Sequence, residues 1–305
     1  MEERTKSYRL ISATKDLAAV AKTLQEAEAI GVDVETTALS PRDGRVRLLQ
    51  LATPDETFVI DVFEATDLSV LKEVLEAGPV KTLQNGKFDY QFLYALHGIS
   101  LSPIFDTMLA AQPLAGGDYS ASYSLEAVAE RYLEESLDKS EQRSDWSGEL
   151  SSRQIEYAAR DAAVLLPLRE RLAGALEAED LGLVSEIEFA AVSSLAEMEL
   201  AGIKLDVARW KELEKSVRER RDRAALELES HFPEPEGVLP LEGLGPRLNL
   251  NSPQQITDAF KSLGIDLPDT KVWTLLKVEH PAAKALLHYR ELHKKLGTYL
   301  ETYPK

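Results

Sequence analysis

The stretch Ile30-Gly31-Val32-Asp33-Val34-Glu35-Thr36-Thr37 decides how the first half of this chain folds. Its apolar residues alternate with two acids, which is the period-two pattern of a half-buried β-strand. Side chains two residues apart on a strand project from the same face, so Asp33 and Glu35 meet at one point in space. Two like charges held together cost free energy unless a proton or a cation lies between them. The pattern alone fits either an edge strand with a solvated acidic face or a pair of oxygen ligands for Mg²⁺ or Mn²⁺.

The composition is that of a globular protein of two domains. Its 305 residues exceed the usual size of a single core, and 44% of them are hydrophobic against 29% charged. No apolar run approaches the roughly 18 residues that span a bilayer. The start of the chain does not read as a signal peptide. We therefore expect a cytoplasmic protein, nucleoid-associated if bacterial, with no membrane partner.

The residue types present restrict the chemistry. The chain has no cysteine, which excludes disulfides, thiolate metal sites and cysteine nucleophiles. Its five histidines are scattered without ligand spacing. Any metal is therefore expected to be held mainly by oxygen.

The net charge of −17 is unevenly distributed along the chain. Residues 1–180 contain 18 basic and 32 acidic side chains, whereas residues 181–305 contain 17 basic and 20 acidic ones. A polyanion could still bind the first part through metal ions, helped by basic residues concentrated elsewhere. One concentration is a predicted helix from Asp206 to about Ser230, which carries seven Lys and Arg residues. A solvated face and a surface that tracks a nucleic-acid backbone are equally compatible with it.

Strand and helix patterns alternate before residue 180 and give way to helix after it. Strand patterns occur at residues 8–11, 30–35, 46–52, 57–62 and 80–83. Among the helices, one is expected to be capped by Thr14, and a long one is opened by the capping box Ser151-x-x-Gln154 and kinked rather than ended at Pro167. We expect an α/β domain with a mixed central sheet over residues 1–180 and a smaller, mostly helical domain over residues 181–305.

Two local features are predicted within the second domain. Residues 232–247 are rich in Pro and Gly and are typical of a loop. Ser252-Pro253-Gln254-Gln255 reads as a second capping box, with proline at the first helical position.

A polar pair that follows a predicted strand is placed to join the first two acids. Asn85 and Asp89 lie four residues apart at the expected start of a helix. Both would then lie on one helix face near the end of the sheet. As an isolated pair they could equally be helix caps.

A second polar pair lies on the helix opened by Ser151. Tyr157 and Asp161 are four residues apart, and Asp161 stands among alanines. A carboxylate on so apolar a face needs a metal or a cationic partner, for which Arg160 is a candidate.

Together, Asp33-x-Glu35, Asn85-x-x-Phe88-Asp89 and Tyr157-x-x-x-Asp161 resemble the three exonuclease motifs of the DEDD superfamily, in its tyrosine-bearing branch. They occur in that family's order and with similar separations. Phe105-Asp106-Thr107-Met108 and the run from Tyr123 to Ala129 add to the resemblance, which covers roughly residues 8–175. It implies a ribonuclease-H-like fold and 3′–5′ exonuclease activity.

The resemblance also assigns catalytic roles. Asp33, Glu35 and Asp161 would hold one divalent ion, and Asp33 would be shared with a second ion near Asp89. Tyr157 would orient the attacking water while the two ions, Mg²⁺ or Mn²⁺, stabilise the attacking and leaving oxygens. Four clustered carboxylates repel one another, so loss of metal is expected to lower stability as well as activity.

The substrate is expected to be a single-stranded 3′ end, of DNA more than of RNA. Leu39 matches a family position that packs against the terminal base, although an ordinary core role is equally compatible with a leucine. Thr36 and Asn85 would contact the terminal nucleotide. Phe88 is expected in the core rather than as a stacking platform.

The second part of the chain resembles family A DNA polymerases. The resemblance rests on the segments Glu199–Asp206, Leu248–Ile256 and Tyr289–Leu300, which in that family link the exonuclease to the polymerase and begin the thumb. The palm and fingers have no counterpart in these residues, so we expect no polymerisation by this chain itself. A polymerase module, in cis or in trans, is a possible partner.

Two other functions are compatible with the sequence. Ser144-Asp145-Trp146-Ser147 resembles ribonuclease D, which would make the chain an enzyme that trims RNA. A non-catalytic scaffold that binds nucleic acid or a polymerase is the alternative of another class. Degenerate domains of that kind lose metal carboxylates, and all four are present here.

Overall fold

The computed structural model describes residues 7–116, 118, 120–138, 140–141, 144–233 and 248–303. The chain forms two compact units, Met1–Gly202 and Ile203–Lys305. The first unit is α/β and the second is helical, as expected. The boundary lies at Gly202 rather than near residue 180, because the helix over Gly182–Ala201 packs against helices of the first unit.

Six strands of the first unit form one mixed sheet in the described part of the chain. They are β1 Tyr8–Ile11, β2 Ala29–Thr36, β3 Val46–Ala52, β4 Thr57–Asp61, β5 Val80–Leu83 and β6 Ile104–Asp106. Their order across the sheet is β1-β4-β3-β2-β5-β6. β2, β3 and β4 are antiparallel neighbours, whereas β1 pairs parallel with β4, and β5 pairs parallel with β2 and β6. β2 is therefore an inner strand, and the interpretation of its acids as an edge-strand face is wrong.

Seven α-helices of the first unit lie within the described residues. They are α1 Leu17–Gln25, α2 Lys72–Glu76, α3 Lys87–His97, α4 Thr107–Leu114, α5 Leu125–Leu133, α6 Ser152–Ala178 and α7 Gly182–Ala201. The capping box of Ser151 and Gln154 at the start of α6 is confirmed, and α6 continues through Pro167. The predicted cap by Thr14 is wrong, since Thr14 begins a short 3₁₀ turn and its side chain caps no helix.

The two faces of β2 have different surroundings. Ile30, Val32 and Val34 are buried in a large apolar cluster that also contains residues of α1 and α3. The opposite face, which carries Gly31 and the two acids, is covered by α6. The period-two pattern of the sequence thus separates an apolar core from the side on which the polar residues gather.

The second unit contains four described α-helices, which are α8 Val207–Ser230, α9 Pro253–Ser262, α10 Val272–Leu275 and α11 Pro281–Lys295. Leu228, Phe260 and Leu286 are fully buried in its core. Ser252 caps α9, but the second half of the predicted capping box is absent, because the Gln255 side chain accepts instead from the Asn249 N–H at 2.8 Å. The predicted loop at 232–247 lies outside the described residues from position 234 onward. None of the described helices has both the length and the apolarity needed to cross a bilayer.

Candidate active site

Gly31 brings α6 against the acidic strand. A Cβ atom on Gly31 would lie 2.3 Å from the carbonyl oxygen of Ala162 and 3.3 Å from the Cβ of Ala52. No side chain fits there, so the missing Cβ allows the α6 backbone to lie directly on β2. Asp161 precedes Ala162, and this contact therefore places it beside Asp33.

Asp89 reaches the same point from α3. Its Oδ1 accepts a hydrogen bond of 3.0 Å from the backbone N–H of Val34, the residue between the two acids of β2. Asp89 is only 3% exposed. This hydrogen bond holds the Asp89 carboxylate at the β2 residue that lies between Asp33 and Glu35. The predicted convergence of the first two motifs is thus present in the fold.

A further buried acid, Asp106 at the end of β6, fixes the turn that leads into α3. Its carboxylate accepts from the N–H of Asn85 at 3.2 Å and of Gly86 at 2.6 Å, and it also caps α4. Asn85 has a positive φ of 55° and precedes α3, so the expectation that Asn85 and Asp89 share one helix face is wrong. The sequence interpretation gave Asp106 no role, although an Asp directly before a helix is a recognisable N-cap signal.

The carboxylates form a strongly coupled electrostatic cluster. Burial, followed by the charges of Asp89, Glu35 and Asp161, raises the pKa of Asp33 well above its usual range. Burial and the same kind of repulsion raise the pKa of Glu35 to about 9. Burial, together with the charge of Asp106 and opposed by hydrogen bonds to backbone amides, raises the pKa of Asp89 to about 8. Burial, opposed by Tyr157 and Arg160, raises the pKa of Asp161 to about 6. Asp89 and Asp161 therefore both lie close enough to Asp33 and Glu35 to raise their pKa values.

Tyr157 belongs to the same cluster. Burial raises the pKa of its hydroxyl well above the usual range, and the charge of Asp161, a hydrogen bond to that carboxylate and the charges of Glu35 and Asp33 add to the effect. The hydroxyl therefore stays protonated and can donate a hydrogen bond to a carboxylate or to a bound oxygen. The spacing of four residues on α6 brings Tyr157 and Asp161 together, as the sequence predicts.

The donor set fits a hard divalent cation. Among the described residues, none of the four acids forms an ion pair with a Lys, Arg or His, so the suggested salt bridge of Asp161 is absent there. Carboxylate oxygens are the ligands that Mg²⁺ and Mn²⁺ prefer. In the described part of the chain no three such side chains already form a set that could hold an ion. An ion bound here would require these carboxylates to lie closer together than they do in this structure.

The loop after β2 presents Leu39 to solvent. It is closed by backbone hydrogen bonds, among them one of 3.0 Å from the N–H of Thr37 to the carbonyl of Arg45. Leu39 is 91% exposed at its tip, so the ordinary core role is wrong for this leucine. The Thr36 hydroxyl donates to the Ala38 carbonyl at 2.8 Å, within the loop. Phe88 packs against the core as predicted.

Comparison with known proteins identifies the family to which the first unit belongs. Residues 8–177, more than half of the chain, match a family model described as 3′–5′ exonuclease. The chain is 31% identical to DNA polymerase I of Chloroflexus aurantiacus over 94% of its own length and 33% of the relative's. It is 31% identical to ribonuclease D of Escherichia coli over 54% of its own length and 44% of the relative's. The chain thus spans between a third and less than half of these curated relatives.

A solved structure points the same way. Brucella melitensis NrnC with bound Mg²⁺ superposes with a TM-score of 0.54 at 25% identity, over 64% of this chain and 92% of that one. The mixed sheet, the helices that carry the acids and the family match all concern the same segment. This chain belongs to the 3′–5′ exonuclease family, with a ribonuclease-H-like fold.

Proposed function

We propose that this chain is a metal-dependent exonuclease that removes nucleoside monophosphates from the 3′ end of single-stranded or frayed DNA. The observation that carries the proposal is the electrostatic influence of Asp89 and Asp161 on Asp33 and Glu35, with Tyr157 beside Asp161, around one end of an inner strand. Three separate elements, β2, α3 and α6, supply them. A cluster so unfavourable without a cation is hard to account for as a purely structural feature.

The residues divide the chemistry between them. Asp33, Glu35, Asp89 and Asp161 would hold two divalent ions. When bound, such ions activate a water molecule and neutralise charge on the departing 3′ oxygen. Tyr157 stays protonated, so it orients the attacking water by a hydrogen bond and does not remove its proton. The N–H of Val34 and the turn fixed by Asp106 hold Asp89 in place.

The substrate end is bound by the rim of the site. We propose that Leu39 packs against the terminal base, and its exposure supports this, because an exposed leucine gains free energy when it is covered. We propose that Thr36 and Asn85 contact the terminal nucleotide. The likeness of nearly the whole chain to a DNA polymerase I supports DNA as the polymer, and a polymerase module as the partner of the second unit.

An RNA substrate is the second candidate. It is favoured by the similarity of the first unit to ribonuclease D. The two polymers differ at the 2′-hydroxyl, so the choice depends on how the residues around the terminal sugar accept that group.

Digestion of two labelled strands of one sequence tests the proposal. Single-stranded DNA and RNA carrying a 5′ label are incubated with Mg²⁺ or Mn²⁺. A ladder that shortens from the 3′ end is expected for the wild type and for Glu170→Gln, an exposed acid of α6 that serves as the matched control. Asp161→Asn and Asp33→Ala should reduce the rate by at least about 10³-fold, as loss of an electrostatic catalytic group does. Equal digestion by all variants would refute the proposal, and a strong preference for RNA would favour the second candidate.

A further inference from the structure

An open cavity of about 450 Å³ lies beside Tyr157. The first turns of α6 form one wall with Arg153, Glu156, Tyr157 and Arg160, and Ser140 lies among the other lining residues. No residue of this wall except Tyr157 belongs to the carboxylate cluster. The cavity therefore adjoins the carboxylate cluster at Tyr157 and continues along the first turns of α6.

The two arginines of the cavity differ in what they contact. Arg153 is engaged, because its Nη2 lies 3.4 Å from Asp138 Oδ2 and its Nε lies 3.3 Å from Glu141 Oε1. Arg160 is exposed, and its side chain forms no ion pair or hydrogen bond with another described residue. Its charge does lower the pKa of neighbouring Asp161. Its guanidinium is therefore available to an anionic ligand.

The position of Arg160 limits which anion its guanidinium can bind. Residues three apart on a helix have Cβ atoms about 5–6 Å from each other, so Arg160 stands one helical step from Tyr157 on the cavity wall. An enzyme that removes a 3′-terminal nucleotide leaves the rest of the chain on the 5′ side of the scissile phosphate. Any other phosphate bound near the site must belong to that side.

We propose that Arg160 binds the phosphate immediately 5′ of the scissile one. The inference rests on the proposed exonuclease function and names the substrate contact that the cavity makes. A planar guanidinium matches two phosphate oxygens, which an ammonium group does not. Of the two described acids on the cavity, Asp138 is paired with Arg153, and Glu156 forms no ion pair with Arg160 although it lies one helical turn before it.

Two dinucleotides that differ by one phosphate provide the test. Hydrolysis of d(TpT) cleaves the scissile phosphodiester of a substrate that has no other phosphate, whereas d(pTpT) adds the one that Arg160 is proposed to bind. We expect the wild type to show a kcat/KM about tenfold higher for d(pTpT), the effect of one charge-assisted contact. Arg160→Gln should reduce this ratio to near one, mainly through KM, and Arg160→Lys should restore part of it. Arg171→Gln, an exposed arginine of the same helix, is the matched control and should keep the wild-type ratio.

Each result decides between the inference and its alternatives. The assignment would be overturned if Arg160→Gln kept the wild-type preference for d(pTpT), or if the wild type showed no such preference. The ratio of the two dissociation constants is measured separately by calorimetry, with Ca²⁺ in place of Mg²⁺. If nothing is hydrolysed, it is the proposed function that fails, while the binding ratio still tests Arg160. Melting curves of all variants exclude a loss of folding as the cause.

Discussion

Replacing Gly31 by alanine should separate the acidic strand from the helix that carries Asp161. The added Cβ would lie 2.3 Å from the Ala162 carbonyl oxygen, whereas ordinary van der Waals contact begins near 3.4 Å. The obstacle is backbone, so it cannot turn away, and β2 and α6 must move apart by about 1 Å. Overpacking of this kind costs about 1–3 kcal/mol, which lowers the Tm of a unit of this size by roughly 5 °C. A 1 Å displacement of a catalytic group lowers kcat by about 100-fold.

The matched control is Gly174→Ala on the same helix. Apart from its chain neighbours and the backbone of its own helix, no described atom lies within 4 Å of the position that its Cβ would occupy, and Gly174 is exposed inside α6. This variant should gain about 0.5–1 kcal/mol from helix propensity and keep its kcat. Melting curves and single-stranded oligonucleotide turnover of both variants provide the comparison. If Gly31→Ala matches the wild type in both Tm and kcat, close packing of α6 on β2 does not position the site.

Three further predictions concern the rim, the cluster and its support. Leu39→Ala should lower kcat/KM about tenfold with an unchanged Tm, because the side chain is exposed until a base covers it; Leu226→Ala, also exposed, is the control, and a lower Tm for Leu39→Ala would contradict the reasoning. Raised folded-state pKa values of about 9 for Glu35 and about 8 for Asp89 mean that protonation stabilises the metal-free fold. This contribution is complete below about pH 4 and is lost progressively as the pH rises to the folded-state values of about 8 and 9. The Tm in EDTA should therefore fall between about pH 4 and pH 9, less steeply in Glu35→Gln, and Mg²⁺ should restore it; identical slopes would argue against the cluster. Asp106→Ala should lower stability by about 2–3 kcal/mol in urea titrations, since it leaves buried amides without an acceptor, and an unchanged midpoint would show that the turn does not need it.

Much of the site could be predicted because its signals are local. The alternation around Asp33, the capping box at Ser151 and the spacing of Tyr157 and Asp161 each depend on a few adjacent residues, and the fold reproduces all three. The three motifs lie on β2, α3 and α6. Local pattern and tertiary structure agree at these positions.

The features that were missed depend on contacts between distant segments. The left-handed conformation of Asn85 is stabilised by Asp106, which follows 21 residues later in the chain. The contact between Gly31 and Ala162 joins residues more than 100 positions apart, and only a glycine inside a β-branched strand hints at it. The exposure of Leu39 is likewise a property of the loop geometry, since a leucine in isolation is more often buried.

The charge distribution gives a physical reason for the order in which the ligands bind. The first 180 residues carry 32 acids against 18 basic side chains, and the charges of Asp89, Glu35 and Asp161 act on Asp33 at the proposed point of cleavage. Once these acids are deprotonated, a phosphodiester brought to that point without cations would add a further negative charge beside partly buried carboxylates. Divalent ions remove this repulsion and at the same time attract the phosphate. If the proposed function holds, the metal binds with or before the strand, and Arg160, outside the cluster, contacts the neighbouring phosphate once the scissile one is held.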